Sequence, residues 1–333
     1  MLAARLLGEK NVAISNIDKP QPGTGEVLIR MTRIGLCGSD IHIFSGNRQV
    51  NYPITMGHEG IGFVAELGEG VNHLSINQRV VIEPNFSCGT CTLCKTGRGN
   101  ICEHKRSIGV TDDGCFSEYA VIPADYAWPL PDTMSDDHAV LIEPTAVAVH
   151  ALKISGAQPG TTIAIMGLGT IGLILALLAR RLGYQVLAMD LDDKKCALAA
   201  AEGVRIFQYH NDEELSTLWA QAEVCSIFEC AGSAKTATLA TQAAPRGANV
   251  ILVGLCDQPV TYSPLQLTRR GVSIIPSMIY DHPSDFARTI TLMEQIIIDP
   301  EKIISGRYPL SQVEQALTRA LKGKDTKLVI ELN

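Results

Sequence analysis

The stretch Thr162-Ile-Ala-Ile-Met-Gly-Leu-Gly-Thr-Ile-Gly172 decides the fold, because an apolar run leads directly into the pattern Gly-x-Gly-x-x-Gly. This order predicts a buried strand, a tight turn and a helix that begins within the glycine pattern. Asp190 ends the next apolar run, 18 residues after Gly172. A carboxylate there accepts hydrogen bonds from ribose hydroxyls and repels a 2′-phosphate. The pattern therefore predicts a dinucleotide site that binds NAD rather than NADP; the alternative is a glycine turn without a nucleotide.

Short apolar segments continue after this stretch and alternate with alanine- and leucine-rich segments of helical character. Such alternation predicts a doubly wound parallel sheet of the Rossmann type, an α/β fold, over residues 143–276. Residues 1–142 contain short segments of alternating polarity, such as 26–32 and 79–83, separated by glycine and proline. That texture is typical of a mostly β domain.

The C-terminal residues 277–333 contain two helical segments, near 283–297 and 311–321, and an apolar closing strand. A segment of this length cannot bury a core of its own. We therefore expect it to complete the first domain, so that residues 1–142 and 277–333 form one domain and 143–276 the other.

Charge and hydropathy exclude several classes of partner. Lysine and arginine total 28 against 35 acidic residues, a net charge of −7, and without a basic run we expect neither nucleic-acid binding nor an anionic membrane surface. The uncharged stretch 154–179 is broken by Pro159 and by the glycine pattern, so we expect no membrane span. Residues 1–9 carry a charge inside their only apolar patch, unlike a signal peptide. A cytoplasmic location is expected.

Four cysteines on one glycine-punctuated loop form the strongest local signal: Cys88, Cys91, Cys94 and Cys102. Four thiolates make a closed tetrahedral site, the structural form of zinc binding. A ferredoxin-type iron–sulfur run has a shorter final gap followed by proline, whereas Glu103 follows here. Free or disulfide-bonded cysteines, and a nucleic-acid-binding zinc module, are the alternatives that the spacing and the acidic charge disfavour.

A second set of possible metal ligands is scattered along the chain. Cys37 lies in Gly-Leu-Cys-Gly-Ser-Asp-Ile-His, His58 and Glu59 follow in Gly-His-Glu, and Glu143 precedes proline. Each string is unspecific alone, since single cysteines and histidines are usually packing or surface residues. Together they offer a thiolate, an imidazole and carboxylates, the composition of a catalytic zinc site.

The order of these motifs resembles the zinc-dependent medium-chain dehydrogenase/reductase family over essentially the whole chain. The resemblance implies a GroES-like catalytic domain and a Rossmann NAD-binding domain. It implies that Cys37 and His58 bind the catalytic zinc, with Glu59 as an alternative or exchanging ligand. Glu143 stands where alcohol-dehydrogenase-like members have cysteine, which is similar to the polyol branch of sorbitol, threonine and butanediol dehydrogenases. Which glutamate is the third ligand stays open.

The resemblance also implies roles for neighbouring residues. Asp40 would orient His58, Ser39 would accept the substrate proton, and His42 would pass it toward solvent. The resemblance implies that Val253, Gly254 and Leu255 lie beside the nicotinamide. The glycine pattern itself adds Gly167, Gly169, Thr170, Ile171, Gly172 and Asp190. Lys195 is a candidate contact of the ribose, and the alternative is a solvated residue at the start of a helix.

The expected function is oxidation of a secondary alcohol of a polyol, sugar acid or vicinal diol to the ketone. Zinc would lower the pKa of the alcohol so that an alkoxide forms, and hydride would pass to NAD. A threonine-type amino-alcohol dehydrogenase is a close alternative. A zinc lyase or hydrolase, or a non-catalytic protein on this scaffold, are alternatives from other classes. The resemblance further implies a homodimer or homotetramer, and the substrate itself is not specified.

Overall fold

The structure is a computed structural model that describes residues 1–295 and 298–332. It divides into two compact units. Unit 1 consists of Met1–Glu143 and Asp281–Asn333, and unit 2 of Pro144–Tyr280. The sequence places the divisions after residues 142 and 276. In both units the fold class is the expected one.

Unit 1 is built mainly from strands joined by short turns and helices. The bounds of its elements before the first division are β1 (Leu2–Gly8), β2 (Asn11–Asn16), β3 (Glu26–Leu36), α1 (Gly38–Phe44), β4 (Ile54–Thr55), β5 (Glu59–Leu67), β6 (Arg79–Ile82), β7 (Asn85–Phe86), α2 (Thr92–Lys95), β8 (Arg106–Ser107), β9 (Tyr119–Pro123), β10 (Ala127–Pro129) and α3 (Asp136–Ala139). Short 3-10 turns cover Gly99–Ile101 and Ala124–Tyr126.

The next helix, α4 (Ile142–Ile154), contains the first division of the chain. Unit 2 then follows the alternation that the sequence predicts. Its strands and helices are β11 (Thr162–Met166), α5 (Thr170–Arg181), β12 (Gln185–Met189), α6 (Asp193–Ala201), β13 (Arg205–Ile206), α7 (Asp212–Gln221), β14 (Val224–Glu229), α8 (Ala234–Ala243), β15 (Asn249–Leu252), α9 (Pro264–Arg270) and β16 (Ser273–Pro276).

The C-terminal elements belong to unit 1. They are α10 (Ser284–Gln295), a 3-10 turn (Pro300–Lys302), β17 (Ile304–Pro309), a 3-10 turn (Leu310–Gln312), α11 (Val313–Ala320) and β18 (Lys327–Glu331). The expected end of the first helix, residues 296–297, lies outside the described residues. The second helix is shorter than predicted because its first turn is 3-10.

The main sheet of unit 1 has the order β10-β6-β5-β3-β18-β17, with β9 also paired to β3. Val27, Ile29 and Met31 alternate along β3 and belong to one apolar core, as expected for a strand with a period of two. β18 pairs antiparallel with β3, and Leu328 lies opposite Leu36. The end of the chain therefore lies beside the residue that precedes Cys37.

The sheet of unit 2 is parallel, with the order β13-β12-β11-β14-β15-β16. This is the doubly wound arrangement, in which the order reverses between β11 and β14. Met166 pairs with Met189 on one side and with Glu229 on the other, so the carboxyl ends of these strands lie level. Ligands of such sheets bind beyond that edge.

Among the described residues, no helix is long and apolar enough to cross a bilayer. The apolar stretch 154–179 instead contains β11 and most of α5. Ile165 and Leu175 are fully buried, and Arg180 and Arg181 end α5, where positive charge favours the helix dipole.

Candidate functional site

Asp40 joins the two segments that carry the predicted metal ligands of unit 1. Cys37 precedes α1, and its backbone N–H donates to Asp40 Oδ2 at 2.9 Å. The other oxygen, Oδ1, accepts from the Gly57 N–H at 3.1 Å. Asp40 is fully buried, so one carboxylate fixes the turn before α1 against the segment that leads to His58.

The imidazole of His58 lies between Asp40 and Ser39. Its Nδ1 is 3.6 Å from Asp40 Oδ1, and its Nε2 is 3.3 Å from Ser39 Oγ. Burial disfavours a charged imidazole, but the negative charges of Asp40 and Cys37 outweigh it and hold the pKa of His58 well above its ordinary value. The negative charges around His58 make this pocket favourable for a bound cation.

Glu59 is buried and forms an ion pair with Lys327, a residue that the sequence reasoning missed. Lys327 Nζ lies 2.7 Å and 2.5 Å from the two carboxylate oxygens and donates to the Leu36 carbonyl at 3.1 Å. Burial lowers the pKa of Lys327, but Glu59 and then Cys37 raise it, with a further contribution from Glu143, so the net shift is upward. In the sequence, this role of Lys327 is indicated only by its position at the start of an apolar strand.

The approach of Glu59 also explains why residue 35 is glycine. A Cβ atom at Gly35 would lie 2.1 Å from Glu59 Oε2, a distance that no side chain could tolerate. Glycine here makes room for the buried Glu59 carboxylate beside Lys327.

The structure brings Cys37, His58 and Glu59 together, with one ligand atom from each within 4.8 Å of the others. A thiolate, an imidazole and a carboxylate at such separations fit zinc. Glu143 lies in the first turn of α4, is buried and stands outside this group. His42 lies in the last turn of α1 and is exposed.

The four-cysteine loop forms a second cluster. The Sγ–Sγ separations are 3.9 Å for Cys88–Cys94, 3.5 Å for Cys91–Cys94 and 3.8 Å for Cys91–Cys102. Four sulfurs around zinc at about 2.3 Å lie roughly 3.8 Å apart in a tetrahedron, so the cluster fits that ion. The Thr90 hydroxyl and the Cys91 N–H lower the pKa of Cys88 to about 5, whereas burial and the neighbouring thiols raise that of Cys94 to about 11.

The glycine pattern of unit 2 forms the turn that the sequence predicts. Gly167 has φ 96° and Gly169 is the N-cap of α5, while a Cβ at Gly172 would lie 1.9 Å from the Gly167 carbonyl oxygen. The Leu168 N–H donates to Asp190 Oδ2 at 2.6 Å. Asp190 thus lies beside the turn at the carboxyl edge of the sheet.

The other predicted cofactor residues also follow strands of unit 2. Lys195 lies in the first turn of α6 and is half-buried. Val253 and Gly254 follow β15, and their N–H groups donate to the Glu229 carbonyl. Leu255 is 74% exposed. In the sheet, the strand that precedes Lys195 lies on one side of β11, and the strand that precedes Val253 and Gly254 lies on the other side.

Comparison with known proteins places both units in described families. Residues 23–132 match the model of the alcohol dehydrogenase GroES-like domain, and residues 170–295 match that of the zinc-binding dehydrogenases. The chain is 30% identical to a sorbitol dehydrogenase of Bacillus subtilis (strain 168), covering 99% of this chain and 96% of that one. It is 32% identical to an L-idonate 5-dehydrogenase of Vitis vinifera, covering 97% and 92%.

A solved structure has the same fold. It is described as a short chain alcohol dehydrogenase from Escherichia coli CFT073 complexed with NADH, and it is 27% identical to this chain, with a TM-score of 0.92 and 99% of each chain covered.

Proposed function

Because this chain belongs to the zinc-dependent medium-chain family of alcohol dehydrogenases, we propose that it oxidises a secondary alcohol of a polyol, sugar acid or vicinal diol to the ketone with NAD. The observation that carries this proposal is the group formed by Cys37, His58 and Glu59, in a chain that also has the dinucleotide turn beside Asp190. The relatives named for sorbitol and L-idonate support a polyhydroxylated substrate.

The residues of unit 1 fit two zinc ions with different tasks. Cys37 and His58 would hold the catalytic ion together with Glu59 or Glu143. When bound, zinc supplies a Lewis acid that lowers the pKa of the alcohol hydroxyl. The cluster of Cys88, Cys91, Cys94 and Cys102 would hold the structural ion, since four protein ligands leave no position for a substrate.

Three residues near the catalytic group would handle orientation and the proton. Asp40 would orient the His58 ring, because its carboxylate lies 3.6 Å from Nδ1, which would leave Nε2 for the metal. Ser39 would accept the proton of the alcohol, since its hydroxyl lies beside the same ring nitrogen. The exposed His42 would pass the proton to solvent, a task suited to an imidazole.

Unit 2 would bind the cofactor, which accepts the hydride. Backbone N–H groups at the start of α5 suit a pyrophosphate, so Gly167, Gly169, Thr170, Ile171 and Gly172 would line that part of the site. Asp190 and Lys195 would bind the adenosine ribose. The nicotinamide would lie beside Val253, Gly254 and Leu255.

We assign unit 1 as the catalytic domain and unit 2 as the NAD-binding domain, and we propose a cytoplasmic homodimer or homotetramer. β16 supports the oligomer, since among the described residues it ends the sheet order of unit 2 and no strand pairs with its outer edge, an edge at which another strand can pair. Light scattering on the purified protein tests the assembly, and a monomer at micromolar concentration would contradict it.

The function is tested by NADH formation with zinc-replete protein against pools of sugar alcohols, aldonates, vicinal diols and threonine, with NADP in parallel. We expect a rate with NAD and one of the first three pools. A rate with threonine alone would select the amino-alcohol alternative. No rate with any pool, together with no NAD binding in equilibrium dialysis, would contradict the proposal and favour a lyase, a hydrolase or a non-catalytic protein.

A further inference from the structure

Glu229 is a buried acidic residue at the end of β14, whose preceding residues Ile227 and Phe228 are fully buried. Its Oε1 accepts three hydrogen bonds, from the Ala231 N–H at 3.0 Å, the Gly232 N–H at 3.0 Å and the Thr236 hydroxyl at 2.7 Å. All three donors are neutral and belong to the loop after β14 or to the first turn of α8. The side chain of Glu229 therefore fixes the course of this loop.

The backbone of the same residue fixes a second loop. The Glu229 carbonyl accepts from the N–H groups of Val253 at 2.9 Å and Gly254 at 2.8 Å, which follow β15. The two loops touch beside the carboxylate, because a Cβ at Gly254 would lie 2.3 Å from the Gly232 nitrogen and 2.9 Å from Glu229 Oε2. Glu229 thus joins both loops through separate hydrogen bonds.

The position of these loops relates them to one half of a dinucleotide. In a doubly wound sheet each half binds one mononucleotide, and the ligand crosses the point where the strand order reverses. The first half contains the glycine turn and Asp190. β14, β15 and β16 form the second half, so the loops that Glu229 joins border the nicotinamide side. Ala231, at the tip of the first loop, is exposed.

We infer that Glu229 is a positioning residue that shapes the nicotinamide half of the cofactor site without touching the reacting atoms. The inference rests on the proposed NAD-dependent function. A carboxylate suits this position because it only accepts hydrogen bonds, and three donors converge on one of its oxygens. Removal of the carboxylate leaves these donors without the Glu229 acceptor. The two loops then no longer keep the conformation that binds the nicotinamide ring.

The test compares two ligands on the full-length, zinc-replete protein by isothermal titration calorimetry. NADH contains the nicotinamide, whereas ADP-ribose retains the adenosine, pyrophosphate and second ribose but lacks it. The variants are Glu229→Ala, Glu229→Gln, and Thr236→Val, which removes one donor to Glu229 together with the contacts of the same hydroxyl to Ser233. Thr241→Val is the matched control, because Thr241 is buried on the same helix and its hydroxyl donates to the Thr238 carbonyl within that helix. Thermal unfolding of each variant is measured in parallel.

We expect Glu229→Ala to weaken NADH binding by about tenfold or more and Thr236→Val to weaken it by roughly threefold. Glu229→Gln should retain most of the affinity, since its amide oxygen still accepts. The affinity for ADP-ribose should fall far less than the affinity for NADH in each variant. A small loss for ADP-ribose is expected, because Ala231 also packs against Gly167 of the pyrophosphate turn. Thr241→Val should change neither ligand.

Unchanged NADH affinity in Thr236→Val and Glu229→Ala would overturn the inference. An equal loss for NADH and ADP-ribose would also overturn it, because Glu229 would then stabilise unit 2 as a whole. If Glu229→Ala does not fold, the Thr236→Val and Thr241→Val pair decides. A wild-type protein that binds neither ligand would instead contradict the proposed function, and the inference with it.

Discussion

Buried charge defines the proposed catalytic site at the scale of single residues. Asp40, Glu59 and Lys327 are each at most 2% exposed. Asp40 accepts from the backbone of Cys37, and Lys327 pairs with Glu59, which is itself a predicted ligand. A buried charge without a partner is costly. These buried charges therefore stabilise one another, and removal of one should leave another buried without a compensating charge.

Replacement of Lys327 by methionine should destabilise the protein, because it leaves the Glu59 carboxylate buried without its cation. We expect a loss of about 3 kcal/mol in the free energy of unfolding. In a double-mutant cycle measured by urea unfolding, Glu59→Gln should recover a large part of that loss in the Lys327→Met background. Lys322→Met, at an exposed position, is the control. Strictly additive effects of the two substitutions would contradict the pairing.

Replacement of Cys37 by serine should abolish turnover and leave the fold intact, because we propose that its side chain binds the metal and does not pack in the apolar core. Zinc analysis should show loss of the catalytic ion and retention of the structural one, and circular dichroism should be unchanged. Cys256→Ser, outside both clusters, should keep full activity. Substantial activity in Cys37→Ser would refute the assignment of Cys37.

At the scale of elements, the four-cysteine loop depends on its metal. It contains only the four-residue helix α2 and one 3-10 turn, so the energy of metal binding supplies much of its order. Zinc removal, or Cys91→Ser, should speed tryptic cleavage at the exposed Lys95 and Arg98 by about tenfold. Gel analysis of the time course measures this effect. Equal cleavage rates with and without zinc would mean that the loop is ordered by packing alone.

The turn between β11 and α5 should set the choice of cofactor through Asp190. Its carboxylate lies beside the Leu168 N–H and would repel a 2′-phosphate. Asp190→Ala should lower the ratio of kcat/KM for NAD over NADP by about tenfold or more. Asp193→Ala, exposed at the start of α6, should leave the ratio unchanged. A wild-type preference for NADP would contradict this role.

Strands and helices could be predicted where a short sequence pattern marks them. β11 has the bounds that the apolar run before Gly167 predicts, because a buried parallel strand reads as a continuous apolar segment. β13 is shorter than its apolar run, which shows how weakly periodicity fixes strand ends. Cys37, His58 and Glu59 could be named from the resemblance of their motifs. Lys327 could not, because its role depends on the pairing of β18 with β3 across nearly the whole chain.

At the scale of the whole molecule, the chain leaves unit 1 after Glu143 and returns to it at Asp281. The returning strand β18 lies between β3 and β17 and begins with Lys327. The two ends of the chain therefore contribute to one group of charges around the proposed metal. We propose that this group and the dinucleotide turn serve a single reaction.

This proposal is tested by measuring NADH formation before zinc removal, after it and after zinc is restored, with NAD and the substrate pool that gives a rate. We predict that the rate disappears when a chelator removes the catalytic zinc and returns when zinc is added, while NAD binding measured by dialysis persists throughout. NADH formation that continues without zinc, or no NADH from any pool in the zinc-replete protein, would contradict this proposal.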